Sequence, residues 1–314
     1  MPSDERRGRP TPPDDLIQPF QIDRFDLRGR LVRLGPAIDT ILTRHAYAEP
    51  VAALLGQAVA LACVLAAAMK YEGIFTLQTK GNGPVRLLVA DVTSEGALRG
   101  YAEVDAERLA AALAGPLENP VPRLLGAGHL AFTVDQGPHT ERYQGVVDLA
   151  GATLADCAHH YFRQSEQLDA AIRLAAARDA KGRWRAGAMM IQRLPGTGDD
   201  NDWDVDGVED GWRRALTFMG TATSAELVDP ALAPNDLLFR LFHEDGVRAF
   251  RPRPLAARCR CSRQRVSDML ARLPRDEVLA CREPESGEVV VTCQFCNTDQ
   301  HFTLEQLEAL YAKR

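Results

Sequence analysis

Four cysteines in the last quarter of the chain stand in two tight pairs, Cys259-Arg260-Cys261 and Cys293-Gln294-Phe295-Cys296, on either side of residues 262–292. Two such pairs flanking a short subdomain can bring four thiolates around one tetrahedral Zn²⁺. Cys-x-x-Cys suits a knuckle turn, in which both sulfurs and nearby amides converge. Cys-x-Cys is tighter, because in extended chain only residues i and i+2 share a face. Cysteine is also a common core residue, but the Arg-rich, polar segment around these pairs is poor core material. The spacing therefore predicts a metal site. A purely structural disulfide pair fits less well, since no secretory signal is read in the sequence and intracellular thiols are kept reduced.

Four cysteine ligands fill the zinc shell and leave no position for a reactive water, which argues against a hydrolytic enzyme. A zinc deaminase needs His-x-Glu, whereas here His243 and Glu244 are adjacent. Two roles remain open, a folding staple or a redox-sensitive clasp. Arg258, Arg260, Arg263 and Arg265 surround the first pair, and positive charge favours the thiolate that oxidants attack. In so small a module the binding energy of the metal is a large part of the folding energy, so oxidation of the ligands can be reported as unfolding.

The rest of the chain must position this site. Its 314 residues suffice for two or three compact units. A formal charge of −6 argues against a general nucleic-acid partner. Seven cysteines without a signal segment point to the cytoplasm. The Pro- and charge-rich start reads as a disordered extension over 1–23. Residues 24–195 read as an α+β domain, 196–254 as an acidic and helical linker, and 255–314 as the cysteine module.

Within the α+β domain, Arg28 to Leu34 reads as a half-buried strand and Ala37 to His45 as a short helix. Val51 to Met69 reaches membrane-spanning length, yet it is Ala-dominated, holds Gly56 and Gln57, and lacks aromatic anchors; it is expected as a buried core helix. Strands follow at Ile74 to Thr79, Val85 to Val92, Ala97 to Val104, His129 to Val134, Tyr143 to Leu149, Ala171 to Ala177 and Ala188 to Leu194, with helices at Ala106 to Ala114 and Thr153 to Leu168. Hairpins with separate helices indicate antiparallel sheets, not βαβ units. Neither a P-loop nor a Rossmann fingerprint is present, so no nucleotide site is suggested.

Asp202 to Asp210 imitates an EF-hand start, but its twelfth position is Arg213, so a solvated acidic linker is the better reading. Helical patterns over Glu209 to Ala225 and Asn235 to His243, the latter with Asn235 as N-cap, carry Leu216, Phe218, Met219, Leu237, Leu238, Phe239, Leu241 and Phe242. These residues either pack on a neighbouring domain or cover, or form, a binding surface. In the cysteine module Ser262 caps a helix ended by Pro274. Val278 to Arg282 and Glu288 to Thr292 read as a hairpin, and Thr303-Leu304-Glu305-Gln306 opens the last helix as a capping box.

Over about Phe25 to Tyr311 the chain resembles the 33 kDa chaperonin family, the redox-regulated heat-shock holdases of bacteria. The residues carrying the resemblance are Gly81-Asn82-Gly83-Pro84, Glu141 to Val147, Tyr161 to Leu168, Leu241-Phe242-His243-Glu244 and, above all, the two cysteine pairs. The resemblance implies an N-terminal α+β domain, a metastable helical linker and a small C-terminal zinc domain with four cysteine ligands. It implies that the reduced protein holds one Zn²⁺ per chain through Cys259, Cys261, Cys293 and Cys296 and is inactive. Oxidation then forms the disulfides Cys259–Cys261 and Cys293–Cys296 and expels the metal; module and linker unfold, and unfolding client proteins are held without ATP by a homodimer. It implies neither enzyme activity nor a membrane or nucleic-acid partner. The alternative is a zinc-ribbon protein that binds nucleic acid through the arginines near Cys259. Asn297 stands where the family commonly has glycine after the knuckle. Cys281 is an additional thiol, and Cys63 and Cys157 are expected in the core.

Overall fold

The structure is a computed structural model that describes residues 14–115, 118–137, 140, 142–163, 169–193 and 205–312. The chain divides into two compact units, Met1–Ala257 and Arg258–Arg314. The mixture of antiparallel sheets and separate helices is the expected α+β class.

In chain order the first unit begins with β1 (Leu16–Ile22), β2 (Leu27–Leu34), α1 (Pro36–Thr43) and α2 (Glu49–Ala66). Next come β3 (Ile74–Gly81), β4 (Val85–Thr93), β5 (Ala97–Val104), α3 (Ala106–Leu113), β6 (Gly128–Asp135), β7 (Tyr143–Asp148), α4 (Leu154–Tyr161), β8 (Ala170–Arg178) and β9 (Trp184–Arg193). It ends with α5 (Val205–Gly220), α6 (Ser224–Val228), α7 (Pro234–Phe242), β10 (Val247–Ala249), β11 (Arg253–Pro254) and β12 (Ala256–Ala257).

One sheet runs β10-β1-β2-β9-β8, with β11 also paired to β1; the other runs β12-β5-β4-β3-β6-β7. Every pairing in them is antiparallel except that of β12 with β5. The apolar helix α2 is the centre of the unit. Val51, Leu54, Leu55, Val59, Leu61 and Val64 are buried, in one cluster with Val32, Ala188 and Met190 of the first sheet and Phe75, Leu88 and Val92 of the second. Its small residues have a packing reason: a Cβ on Gly56 would lie 3.0 Å from the Ala176 Cβ, so the helix can approach β8 closely only without one. This is the one described helix long and apolar enough to cross a membrane, and most of it is buried inside the unit.

The expected extension over 1–23 needs correction, because Leu16–Ile22 form β1, paired with β2 along its whole length. Ile17 joins the α2 core, while Phe20 and Ile22 face the other way. A strand buried on both faces shows no alternation, and Pro19 further disguised it. Pro19 is tolerated because its outer side falls between β10 and β11; its carbonyl accepts a hydrogen bond from Phe250 N there, 2.9 Å. Residues 1–13 of that extension, the acidic run Asp199 to Asp204, and Glu141 and Gln164 to Leu168 lie outside the described residues.

The stretch expected as linker is built into the first unit from residue 205 onward. The single helix expected over Glu209 to Ala225 is two, α5 and α6, separated where Thr223 starts a new capping box with Glu226. The N-cap of α7 is Ala233, not Asn235, with Pro234 in the first turn, where its missing N–H costs nothing.

The second unit contains α8 (Arg263–Leu270), α9 (Arg275–Ala280), β13 (Val289–Thr292), β14 (Asp299–Phe302) and α10 (Leu304–Tyr311). The expected hairpin around Pro284 to Gly287 is corrected: Val278 lies in α9, and β13 pairs instead with β14 across the second cysteine pair. Asp276 and Glu277 in the first turn favour a helix there.

Candidate metal centre and the covered apolar face

The first cysteine pair leads directly into α8, whose N-terminus Ser262 caps by accepting a hydrogen bond from Arg265 N at 3.3 Å. The second pair is the β13–β14 turn. Asn297 N donates to Cys293 O at 2.8 Å and Cys293 N to Thr298 O at 3.0 Å. Asn297 adopts φ 53°, the left-handed conformation that asparagine accepts more readily than most residues. The knuckle therefore forms without glycine.

These two turns place all four sulfurs within 4.8 Å of one another. Cys259 Sγ and Cys293 Sγ are 3.7 Å apart, and Cys261 Sγ and Cys296 Sγ 3.3 Å. With Zn–S bonds near 2.3 Å a tetrahedral four-sulfur site has edges of about 3.8 Å, so the donor set fits such a cation. None of the seven cysteines is in a disulfide. The electrostatics agree with the fit. Burial, then hydrogen bonding to Cys296, pushes the Cys261 thiol well up, and burial likewise raises Cys293. Burial would also raise Cys296, but hydrogen bonds from Thr298 and the neighbouring thiols bring it down to about 6. Without a cation, charge on Cys296 is favoured while Cys261 and Cys293 are held toward the neutral thiol; a positive ion would relieve this.

Two of the arginines expected to polarise the thiols, Arg263 and Arg265, have other partners. Arg263 lies over the Phe302 ring at 4.4 Å and donates to Gln306 Oε1 at 2.7 Å. Arg265 donates to Arg260 O at 2.7 Å. They brace the fold around the site. The core of this unit is small: Leu270, Val278, Val289, Phe302 and Leu307. With so few buried side chains, a metal bound at the quartet would supply a large share of its stability. Cys281 is exposed, bonded to Glu277 O at 3.4 Å, and outside the quartet; Cys63 and Cys157 are buried. Burial pushes the Cys157 thiol up to about 11 and Cys63 still higher, which makes both unreactive.

In the first unit, the residues expected at a binding surface are mostly buried. Met219, Leu237, Leu238, Leu241 and Phe242 pack on Phe20, Ile22, Leu27, Leu31, Met189 and Ile191 of the first sheet, on the face opposite α2, with Leu216 and Phe218 at the margin. Phe20 and Phe242 stack with centroids 5.8 Å apart. Phe239 alone of the eight is exposed, at 63%. The helices thus cover an apolar sheet face.

Sequence reasoning missed two polar fasteners on this cover. Arg214 on α5 donates from Nε to both carboxylate oxygens of Asp245 at 3.0 Å, and its Nη2 reaches Glu244 at 2.6 Å; Arg24 stands 3.7 Å from Asp245. Arg33 of β2 is buried and donates to main-chain carbonyls of the α6–α7 segment. A lone charged residue in a helix, turn or strand normally reads as solvated, so neither carried a signal beyond its charge.

Comparison with known proteins accords with this architecture. The family model described as Hsp33 protein matches residues 15–303. A 33 kDa chaperonin of Caulobacter vibrioides is 43% identical over 287 residues, covering 90% of this chain and 93% of that protein. One from Pseudomonas aeruginosa is 37% identical over 298 residues, with 95% of each covered. The crystal structure of the 33 kDa chaperonin (heat shock protein 33 homolog) of Thermotoga maritima superposes with a TM-score of 0.78 at 25% identity, covering 96% of this chain and 99% of that one. Fold and cysteine quartet define a two-unit protein with four cysteines placed so that they could bind a metal ion. The chain belongs to the Hsp33 family.

Proposed function

We propose that this chaperone is a redox-regulated, ATP-independent holdase of the cytoplasm, a binding protein and not an enzyme. The observation that carries the reading is the convergence of four sulfurs within 4.8 Å in a unit with a very small core of its own. Zn²⁺, if bound, would be held by Cys259, Cys261, Cys293 and Cys296 and would supply a cross-link between the two turns. A thiolate of the quartet attacks peroxide, forming a sulfenic acid and releasing hydroxide. The neighbouring thiolate then displaces the second hydroxide to close a disulfide. Two electrons pass to each peroxide, and two protons complete the two waters. Pairing Cys259 with Cys261 and Cys293 with Cys296 removes all four ligands, and the small core cannot hold the unit alone.

Release of the 205–245 segment then bares the sheet face formed by Phe20, Ile22, Leu27, Leu31, Met189 and Ile191, together with the apolar sides of α5 and α7. Exposed apolar area on this scale binds unfolding proteins and a second copy of the chain. The division of labour is an N-terminal client-binding part, a releasable linker up to about residue 254 and a C-terminal switch.

The test follows zinc release, free thiols and light scattering of a heat-stressed client together while peroxide is added. One zinc leaving as four thiols are lost, with client aggregation suppressed only then, is the expected result. Zinc loss with no protection of clients, or salt-sensitive nucleic-acid binding by the zinc-loaded form, would overturn it.

A further inference from the structure

The covered face of the first sheet is apolar along β2 at Leu27 and Leu31, and two residues further on the same face carries Arg33, 2% exposed. Its described acceptors are all main-chain carbonyls. Nη1 donates to Glu226 O at 3.4 Å and Leu232 O at 3.2 Å, and Nη2 to Asp229 O. The residue paired with Arg33 across the ladder is Gly187, where a Cβ would lie 2.4 Å from Leu227 O. The end of α6 thus settles backbone-first on Gly187 while the guanidinium collects the carbonyls around it. Helix C-termini leave such carbonyls without intrahelical partners and carry a partial negative charge, which a cation complements.

We infer that Arg33 and Gly187 form a binding site for the carbonyl end of a short helix, filled in the closed protein by residues 226–232 and, after release, by the same kind of turn in a client. The inference rests on the holdase reading. Once the segment leaves, Arg33 keeps the Arg185–Asp14 pair near it on the same face but loses all of its described carbonyl acceptors. An apolar client segment that covered it without acceptors would bury an unsatisfied cation, which is costly. The face therefore selects partly folded segments that bring a helix end together with apolar side chains, over extended apolar chain. The resident segment is the template for that ligand.

The probe is a labelled synthetic peptide of residues 221–243, added to the full chain. The peptide is expected to bind peroxide-oxidised protein, to be excluded from the zinc-loaded reduced form, and to displace an unfolded client with a rise in light scattering. Arg33→Met is expected to weaken peptide binding about tenfold, the scale of one charge-assisted hydrogen bond, with Arg33→Lys in between. Gly187→Ala, which keeps the cation but crowds the carbonyl, is expected to weaken it as well and serves if Arg33→Met fails to fold. Equal peptide affinity for wild type and the variants, or no binding to oxidised wild type, would overturn the site. If oxidised wild type protects no client yet protein stripped of metal with a chelator binds the peptide through Arg33, the holdase reading fails and the site stands.

Discussion

Arg214 Nε lies 3.0 Å from each carboxylate oxygen of Asp245, tying α5 to the turn that follows α7. The Asp245 side chain is 1% exposed and is held by that partner and by Arg24. The pair fastens the cover to the sheet at the point where the chain re-enters as β10. Asp245→Asn keeps the shape but removes the charge. Faster proteolysis within 205–245 and more binding of an apolar dye are expected while the zinc content stays unchanged. Unaltered cleavage would assign the holding of the cover to apolar packing alone.

Loss of a single sulfur tests the quartet. Cys259→Ser leaves three soft donors and one hydroxyl, and structural zinc sites of this kind contribute about 10–16 kcal/mol of binding free energy at neutral pH. Substoichiometric zinc and collapse of amide dispersion for residues 258–312 are expected, with the first unit still folded on its large α2 core. Full zinc occupancy in this variant would contradict the four-ligand assignment.

Cys281 provides the control. It is exposed and does not belong to the cluster. Cys281→Ser is expected to leave zinc stoichiometry and the peroxide needed for its release as in wild type. A changed release curve would place Cys281 in thiol–disulfide exchange with the quartet.

His159 makes the first unit acid-sensitive at one junction. Burial holds its pKa below the ordinary 6.5, and its Nε2 accepts a hydrogen bond from Ile172 N at 2.8 Å, which requires the neutral ring. The unfolded chain takes up the proton first, so stability is retained above about 6.5 and lost as pH falls below it. Thermal unfolding of the first unit between pH 7 and 5 is expected to show this loss, and His159→Gln, which keeps an acceptor, to flatten it. Identical pH profiles would exclude the contact as the cause.

Local chemistry was open to reading before any fold was known. Cysteine spacing named the quartet because ligand geometry constrains neighbours in sequence. The Thr303 capping box and the β4–β5 hairpin were legible for the same reason, each being settled within a few residues. Asn297, standing where glycine is common after the knuckle, adopts positive φ, a conformation asparagine accepts more readily than most residues. The apolar, small-residue run of α2 declared a buried helix by composition alone.

Tertiary structure decided the rest, because the deciding partners are far away in sequence. β1 exists through pairing with β2, β10 and β11, the last two over two hundred residues later, which overrode its proline. The partner of β13 was settled by the knuckle, which joins it to β14, while acidic residues in the first turn sent Val278 into a helix. Whether Leu237, Leu241 and Phe242 form a surface or a cover could not be read from their helical spacing, since either role uses the same apolar stripe. Arg33 shows the limit most plainly: its charge reads as solvated, and only the carbonyls of a segment nearly two hundred residues away make its burial possible.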